Sequence, residues 1–300
     1  MPIDICRLCK REAELQLSHI LPAFAYRWLR ESSGNGFIRT NQEPNKRVQD
    51  GEKRPWLCFA CEQRLSNSEG EFANRLFYPY LEDSSAIRQY SSWLMYFCVS
   101  LSWRVLIFYR DQGHLSDWEP EALKRVDDAE QIWRTYLLGE SPHPGVHQQH
   151  LLPLEEIQSA SGEFPPNFNR YLMRAIHIDF VRGSKSIITY AKLGRFMILG
   201  FVHEPNLARW KGTKVSANEG ILGPREYVLP KGFGEYLTEK ATKMREALDS
   251  VSDKQQSKID DAFRKNVDRF VTSDSFKAMQ ADLAMFGDDA FSKRVPKDTP

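Results

Sequence analysis

The sequence predicts an α+β fold, on three observations. Four of the five cysteines stand in two identical pairs, Cys6-x-x-Cys9 and Cys58-x-x-Cys61. The middle of the chain repeats apolar residues at helical spacing, and beyond Pro166 the period shortens to two. The expected order is a cysteine module over 1–82, a helical segment over 83–150, and an antiparallel sheet with helices over 151–300. With 300 residues, 41% hydrophobic and 27% charged, the chain excludes collagen-like, disordered and disulfide-dense classes. Its 41 Lys and Arg against 40 Asp and Glu leave a net charge of +1. Bulk charge is therefore excluded as a route to nucleic acid, whereas a local basic patch is not.

Two residues between thiolates let both sulfurs of a tight turn reach one ion, and four thiolates complete a tetrahedral zinc shell. Two disulfides are the alternative. Against them stand Met1-Pro2-Ile3-Asp4, which is no secretory leader, and a paired short spacing that suits chelation in a cytoplasmic chain. A thioredoxin-like redox site would need one such pair, not two. Cys6, Cys9, Cys58 and Cys61 are thus expected to hold structural Zn²⁺, and the location expected is cytoplasmic. Cys98 lies in an apolar run and reads as core.

Between the pairs, Leu15, Leu17 and His19 alternate with Glu14, Gln16 and Ser18, which reads as a strand. Pro22 then opens a helix with Phe24, Ala25, Trp28 and Leu29 on one face, ended by Gly34-Asn35-Gly36. Phe37 to Thr40 and Arg47 to Gln49 are expected as a hairpin around Glu43-Pro44-Asn45. Glu62 to Phe77 reads as a helix with Leu65, Phe72, Leu76 and Phe77 as its apolar side.

This order of cysteine pair, strand with His19 before Ile-Leu-Pro, second pair and helix resembles the zinc-bound HNH, or ββα-metal, nucleases over roughly the first 80 residues. The resemblance implies a metal-dependent endonuclease acting on nucleic acid, DNA first, with Mg²⁺ or Mn²⁺ catalytic, in a setting such as bacterial phage defence. It makes His19 the general base and Glu62 a metal ligand. Ser18 stands where the family most often has an acid, so Glu14, Asp50 and Glu69 are further candidate carboxylates. For the asparagine that orients the histidine, Gln49 and Asn45 are candidates.

Other readings of these residues stay open. His19 is also suited to a structural role on a half-buried strand, and Glu62 to the dipole at a helix start. Arg39, Lys46, Arg47, Lys53 and Arg54 are candidate phosphate contacts, though Glu43, Asp50 and Glu52 interleave with them as on a solvated hairpin. Trp56 reads as core. The alternative to a nuclease is a zinc-stabilised adaptor that binds DNA or protein without catalysis, its protein partner docking through the C-terminal region.

Ser91 to Tyr109 is the most apolar stretch and approaches a membrane span in length. Arg104 and four serines favour a buried core helix instead, so no membrane partner is expected. Pro120 to Leu138 continues the helical pattern, and Ser141 to Pro153, with His143, His147 and His150, reads as an exposed loop. Leu172 to Val181, Ser186 to Ala191 and Phe196 to His203 read as strands, with an edge strand at Tyr227 to Leu229. His177 and Asp179 share a face that reads as solvated. Helices are expected over Phe233 to Val251, Lys254 to Val271 and Asp274 to Phe286, with a disordered tail from Lys293. There is no internal repeat, no phosphate-binding glycine loop and no Gly-x-Ser-x-Gly elbow.

Overall fold

The computed structural model describes residues 2–159 and 162–291, and the expected disordered tail from Lys293 lies outside them. The chain is of mixed helix and sheet and divides into two units. The first gathers residues 1–24, 51–153 and 176–230; the second gathers 25–50, 154–175 and 231–300. Each unit draws on separated stretches of sequence, so the units do not follow the consecutive division at 82 and 150.

In the first unit, β1 (Ile3–Ile5), β2 (Glu12–His19) and β3 (Lys53–Cys58) form an antiparallel sheet with β2 in the centre. β2 is the strand its alternation predicts. β3 was not legible, because its register shifts opposite Gln16 and Leu17 and leaves Trp56 as an extra residue. Trp56 and Leu57 are both buried, which erases the alternating signature.

α2 (Phe59–Phe72) then turns back along the sheet, starting three residues before the expected helix. A π turn over Ala73–Phe77 joins it to α3 (Tyr78–Glu82), with the Tyr78 N–H donating to the Ala73 carbonyl. Pro79 has no N–H to offer the preceding turn, and the widened turn accommodates its ring.

α4 (Ser92–Asp111) is apolar all round and almost wholly buried from Leu94 to Ile107, as expected of a core helix. It is the one helix among the described residues long and apolar enough to cross a membrane. It packs on α2, on α5 (Pro120–Leu138) and on a four-stranded antiparallel sheet. That sheet has the order β5 (Gln149–Pro153), β8 (Phe196–His203), β7 (Ile187–Leu193), β6 (Ile176–Arg182). β7 and β8 are buried on both faces; β8 reads as a nearly continuous apolar run, whereas β7 also buries Thr189 and Lys192. A Cβ on Gly200 would lie 2.6 Å from both Ser102 Cβ and Thr189 Oγ1, so only glycine lets α4 cross β8 here. Phe72 stacks on Phe97 at 4.0 Å and meets Phe196 at 5.3 Å, tying the cysteine module to this core.

Several expectations are corrected here. The segment 141–153 is an exposed loop only in its first half, where His143 is exposed; its second half carries β5 and buries His147 and His150. The His147 Nδ1 lies 3.1 Å from the Val202 carbonyl, and the His150 ring stacks on Phe201 at 4.2 Å with Nδ1 2.7 Å from Thr213 Oγ1. β4 (Arg88–Ser91) interrupts the expected helical run and pairs with β9 (Glu219–Leu222). Tyr227 to Leu229 contributes only a single bridge, Lys211 to Val228. His177 is half-buried and stacks on Tyr190 at 5.0 Å.

In the second unit, α1 (Ala23–Glu31) contributes from Ala25 onward. The expected hairpin reduces to one bridge between Ile38 and Val48. Residues 172–174 are helical, closing α6 (Phe168–Arg174), rather than the start of a strand. α7 (Phe233–Asp249) follows, then α8 (Asp253–Lys265) and α9 (Val267–Val271), which Asn266 separates, and α10 (Asp274–Phe286). Asp282 on α10 is fully buried and accepts from the backbone N–H groups of Asn169 and Arg170 in the first turn of α6. Arg174 is buried over the Trp28 ring at 4.7 Å and donates to Ser32 Oγ and the Leu29 carbonyl.

Candidate metal centre

Cys6 and Cys9 occupy the turn between β1 and β2, while Cys58 ends β3 and Cys61 lies in the first turn of α2. The turn closes through Cys6 N–H to the Arg11 carbonyl and Lys10 N–H to the Cys6 carbonyl, both at 2.9 Å. Lys10 adopts φ +60°, the one non-glycine residue with positive φ among the described residues. This conformation costs an L-residue about 1–2 kcal/mol, and nothing in the sequence flags it.

The four sulfurs lie within 4.8 Å of one another and all are free thiols, so the disulfide alternative finds no bond. A tetrahedral ion with Zn–S bonds of about 2.3 Å would set its sulfurs about 3.8 Å apart. Cys9 and Cys58 are 3.9 Å apart. The donor set therefore fits a metal ion such as zinc. The Cys58 N–H points at Cys6 Sγ at 3.4 Å, and the N-terminus of α2 favours negative charge at Cys58 and Cys61. Hydrogen bonding from Cys61 holds the Cys6 thiol down to about 4, while the same bond and burial push Cys61 up. Four thiols this close cannot all ionise without a cation between them.

At the far end of β2, Ser18 is buried and donates its hydroxyl to Glu62 Oε2 at 2.6 Å. Two of the residues singled out in the sequence, Ser18 and Glu62, are thus in contact. Glu69, seven residues on and on the same helix face, is ion-paired at 2.7 Å with Arg104 of α4. Arg104 is 3% exposed, donates to the His19 carbonyl at 3.1 Å, and reaches the Ser100 carbonyl and hydroxyl. The arginine inside the most apolar stretch therefore anchors the end of β2 to α2.

The other expected residues belong to both units. Glu14 is exposed on β2, and Asp50 is exposed in the second unit. Asn45 is held by the Ser250 carbonyl and the Ser252 N–H, and the Gln49 carbonyl accepts from Arg30. The five expected cations divide between the two units. Lys53 and Arg54 lie on β3 of the first unit, and Arg39, Lys46 and Arg47 belong to the second. Arg54 pairs with Glu52 at 2.8 Å, Lys46 with Glu43 at 3.1 Å, Arg47 covers the Phe37 ring, and Arg39 donates to Gln255. Burial, then the neighbouring Arg47, lowers the Arg39 pKa.

Comparison with protein-family models, curated protein sequences and solved structures gives no significant match in any of the three.

Proposed function

We propose that the first unit carries a zinc-stabilised nuclease module of the HNH kind, with the four cysteines holding structural Zn²⁺. Four thiolates leave that ion no position for water, so the chemistry belongs at the other end of β2. The observation that carries the reading is the Ser18 to Glu62 contact, which joins the two positions that would hold a divalent cation. Mg²⁺ or Mn²⁺ there would offset charge developing on phosphate.

The chain's own residues supply the rest. His19 would take a proton from water as the water oxygen bonds to phosphorus and the bond to the leaving sugar oxygen breaks; the departing oxygen takes up a proton. Glu62 would hold such a cation, and Ser18 holds Glu62. Arg104 fixes the main chain that presents His19. The reading places the protein in the cytoplasm with DNA as its first substrate, consistent with a role in phage defence.

A second reading is favoured by a specific observation: Glu62 is engaged by Ser18, and Glu69 by Arg104. Both acids on this helix face already have protein partners, which suits a zinc-stabilised adaptor without catalysis. Cleavage of plasmid DNA with Mg²⁺ and then Mn²⁺ separates the two. The nuclease reading expects metal-dependent nicking that is lost in His19→Ala and Glu62→Gln at unchanged zinc content. Equal activity in all three proteins, or none in any, counts against it.

A further inference from the structure

Residues 37–49 of the second unit close on one antiparallel bridge. In it the Ile38 N–H donates to the Val48 carbonyl, and the Val48 N–H donates back to the Ile38 carbonyl. Ile38 is buried, so its neighbours in sequence turn to the opposite face. One step into the loop from this bridge, Arg39 stands opposite Arg47. Positions flanking a doubly bonded pair hold their side chains closest in an antiparallel ladder. Phe37 shares this face, and the Arg47 guanidinium lies over its ring at 4.1 Å. Like charges directly opposed across two strands are destabilising, so the arginines work against the bridge that joins them.

The protein supplies no acid in compensation. Among the described residues neither arginine is ion-paired with a carboxylate, and Glu43, the acid of the connecting loop, is taken by Lys46 at 3.1 Å. Arg39 has one long hydrogen bond, 3.4 Å, to Gln255 Oε1. Its Nε is buried without a partner, which costs about 1–3 kcal/mol. Burial, then Arg47, holds the Arg39 pKa below its ordinary value. Elsewhere in this unit the well-covered arginines are answered, Arg170 by Asp282 at 2.6 Å and Arg245 by Asp249 at 3.2 Å.

We propose that Arg39 and Arg47 together bind a phosphate monoester. Two guanidiniums match its charge of about −2 and its three acceptor oxygens, whereas a carboxylate or a phosphodiester brings a single charge. Arg47 is exposed and already stacked on Phe37, while Arg39 is half-buried and restrained by its long bond to Gln255. A rotation of Arg39 toward Arg47 would give up that bond and present Nε and an Nη as a fork. The same phosphate chemistry occurs on a small phosphorylated molecule and on the 5′-phosphorylated end of a nucleic acid. The site lies within the second unit and stands whether or not the first unit cleaves DNA.

The test is isothermal titration calorimetry of the full-length chain without divalent metal, at about pH 8, where a phosphate monoester carries close to two charges. The probes are thymidine 5′-monophosphate and a short oligodeoxythymidylate with either a 5′-phosphate or a 5′-hydroxyl. Arg39→Gln and Arg47→Gln should each weaken monoester binding at least about tenfold. Each change removes one of two repelling charges, so neither variant should melt below wild type in phosphate-free buffer. Arg264→Gln, which removes an exposed cation of α8, should leave binding unchanged. Binding of the mononucleotide that both variants lose upholds the site with a small ligand. Binding of the 5′-phosphorylated oligomer alone, lost in both variants, upholds it with a nucleic-acid end. Equal binding of the 5′-hydroxyl oligomer, unchanged affinity in the variants, or no binding of any probe at low salt would each overturn the proposal. A lower melt in both variants would show the pair to be structural and would overturn it as well.

Discussion

Ser18 and Glu62, 44 residues apart in sequence, are joined by a 2.6 Å hydrogen bond between the centre strand of the cysteine module and its helix. The hydroxyl is buried and the carboxylate half-buried. Ser18→Ala should therefore cost about 1–2 kcal/mol, read as a lower urea midpoint with zinc content unchanged. Ser18→Asp would set two carboxylates against each other. It should melt lower than wild type without divalent metal and recover selectively with Mn²⁺, as thermal melts with and without the ion would show.

Removing the metal should be far more damaging than any side-chain change at that end. Structural zinc in cysteine sites contributes about 10–16 kcal/mol of apparent binding free energy. Cys9→Ser, or a strong chelator, should abolish the cooperative melt of the first unit. Elemental analysis should find one zinc per wild-type chain and less in the variant. Because the thiols are unbonded, a disulfide reductant without chelating power should leave the melt unaltered.

Arg104 is a buried charge whose burial is tolerated because Glu69, Ser100 and the His19 carbonyl surround it. Arg104→Ala should cost about 2–4 kcal/mol, the partial exposure of Glu69 tempering the loss. Arg104→Ala combined with Glu69→Ala should cost clearly less than the sum of the single changes. A double-mutant cycle by urea denaturation measures that coupling.

Stability should fall in mild acid because of His150. Burial, then the nearby Lys214, holds its pKa down to about 4, against an ordinary value of 6.5. The unfolded chain binds this proton first, so the contribution is complete above about pH 6.5 and is lost as pH falls toward about 4. The loss is on the order of 3 kcal/mol across that window. His147 shifts in the same direction for the same reason, burial. Urea midpoints between neutral pH and pH 5 should drop in wild type and drop less in His150→Gln.

What could be read from the sequence follows from where the signals are local. The two cysteine pairs declare themselves by spacing, β2 by its alternation, and α5 and α10 by helical period with bounds as expected. β3 hid behind Pro55 and the bulge at Trp56. β5 hid because Gln149 to Leu152 are buried without alternation, among histidines and prolines that resemble a loop. The site was half legible. Cys6, Cys9, Cys58 and Cys61 come together as their spacing requires, but the contacts of Ser18 with Glu62 and of Arg104 with Glu69 and His19 are tertiary. Arg104 did carry a signal, as a charge inside an otherwise apolar helix, though not the identity of its partners.

The most direct test of the proposed chemistry is where a second metal binds. Crystals of the zinc-loaded protein soaked in Mn²⁺ can be measured at the anomalous edges of both elements. The account predicts zinc at the four cysteines and manganese beside Ser18 and Glu62. Full zinc occupancy with no manganese there, and the Ser18 to Glu62 hydrogen bond intact, would contradict the nuclease and leave the adaptor.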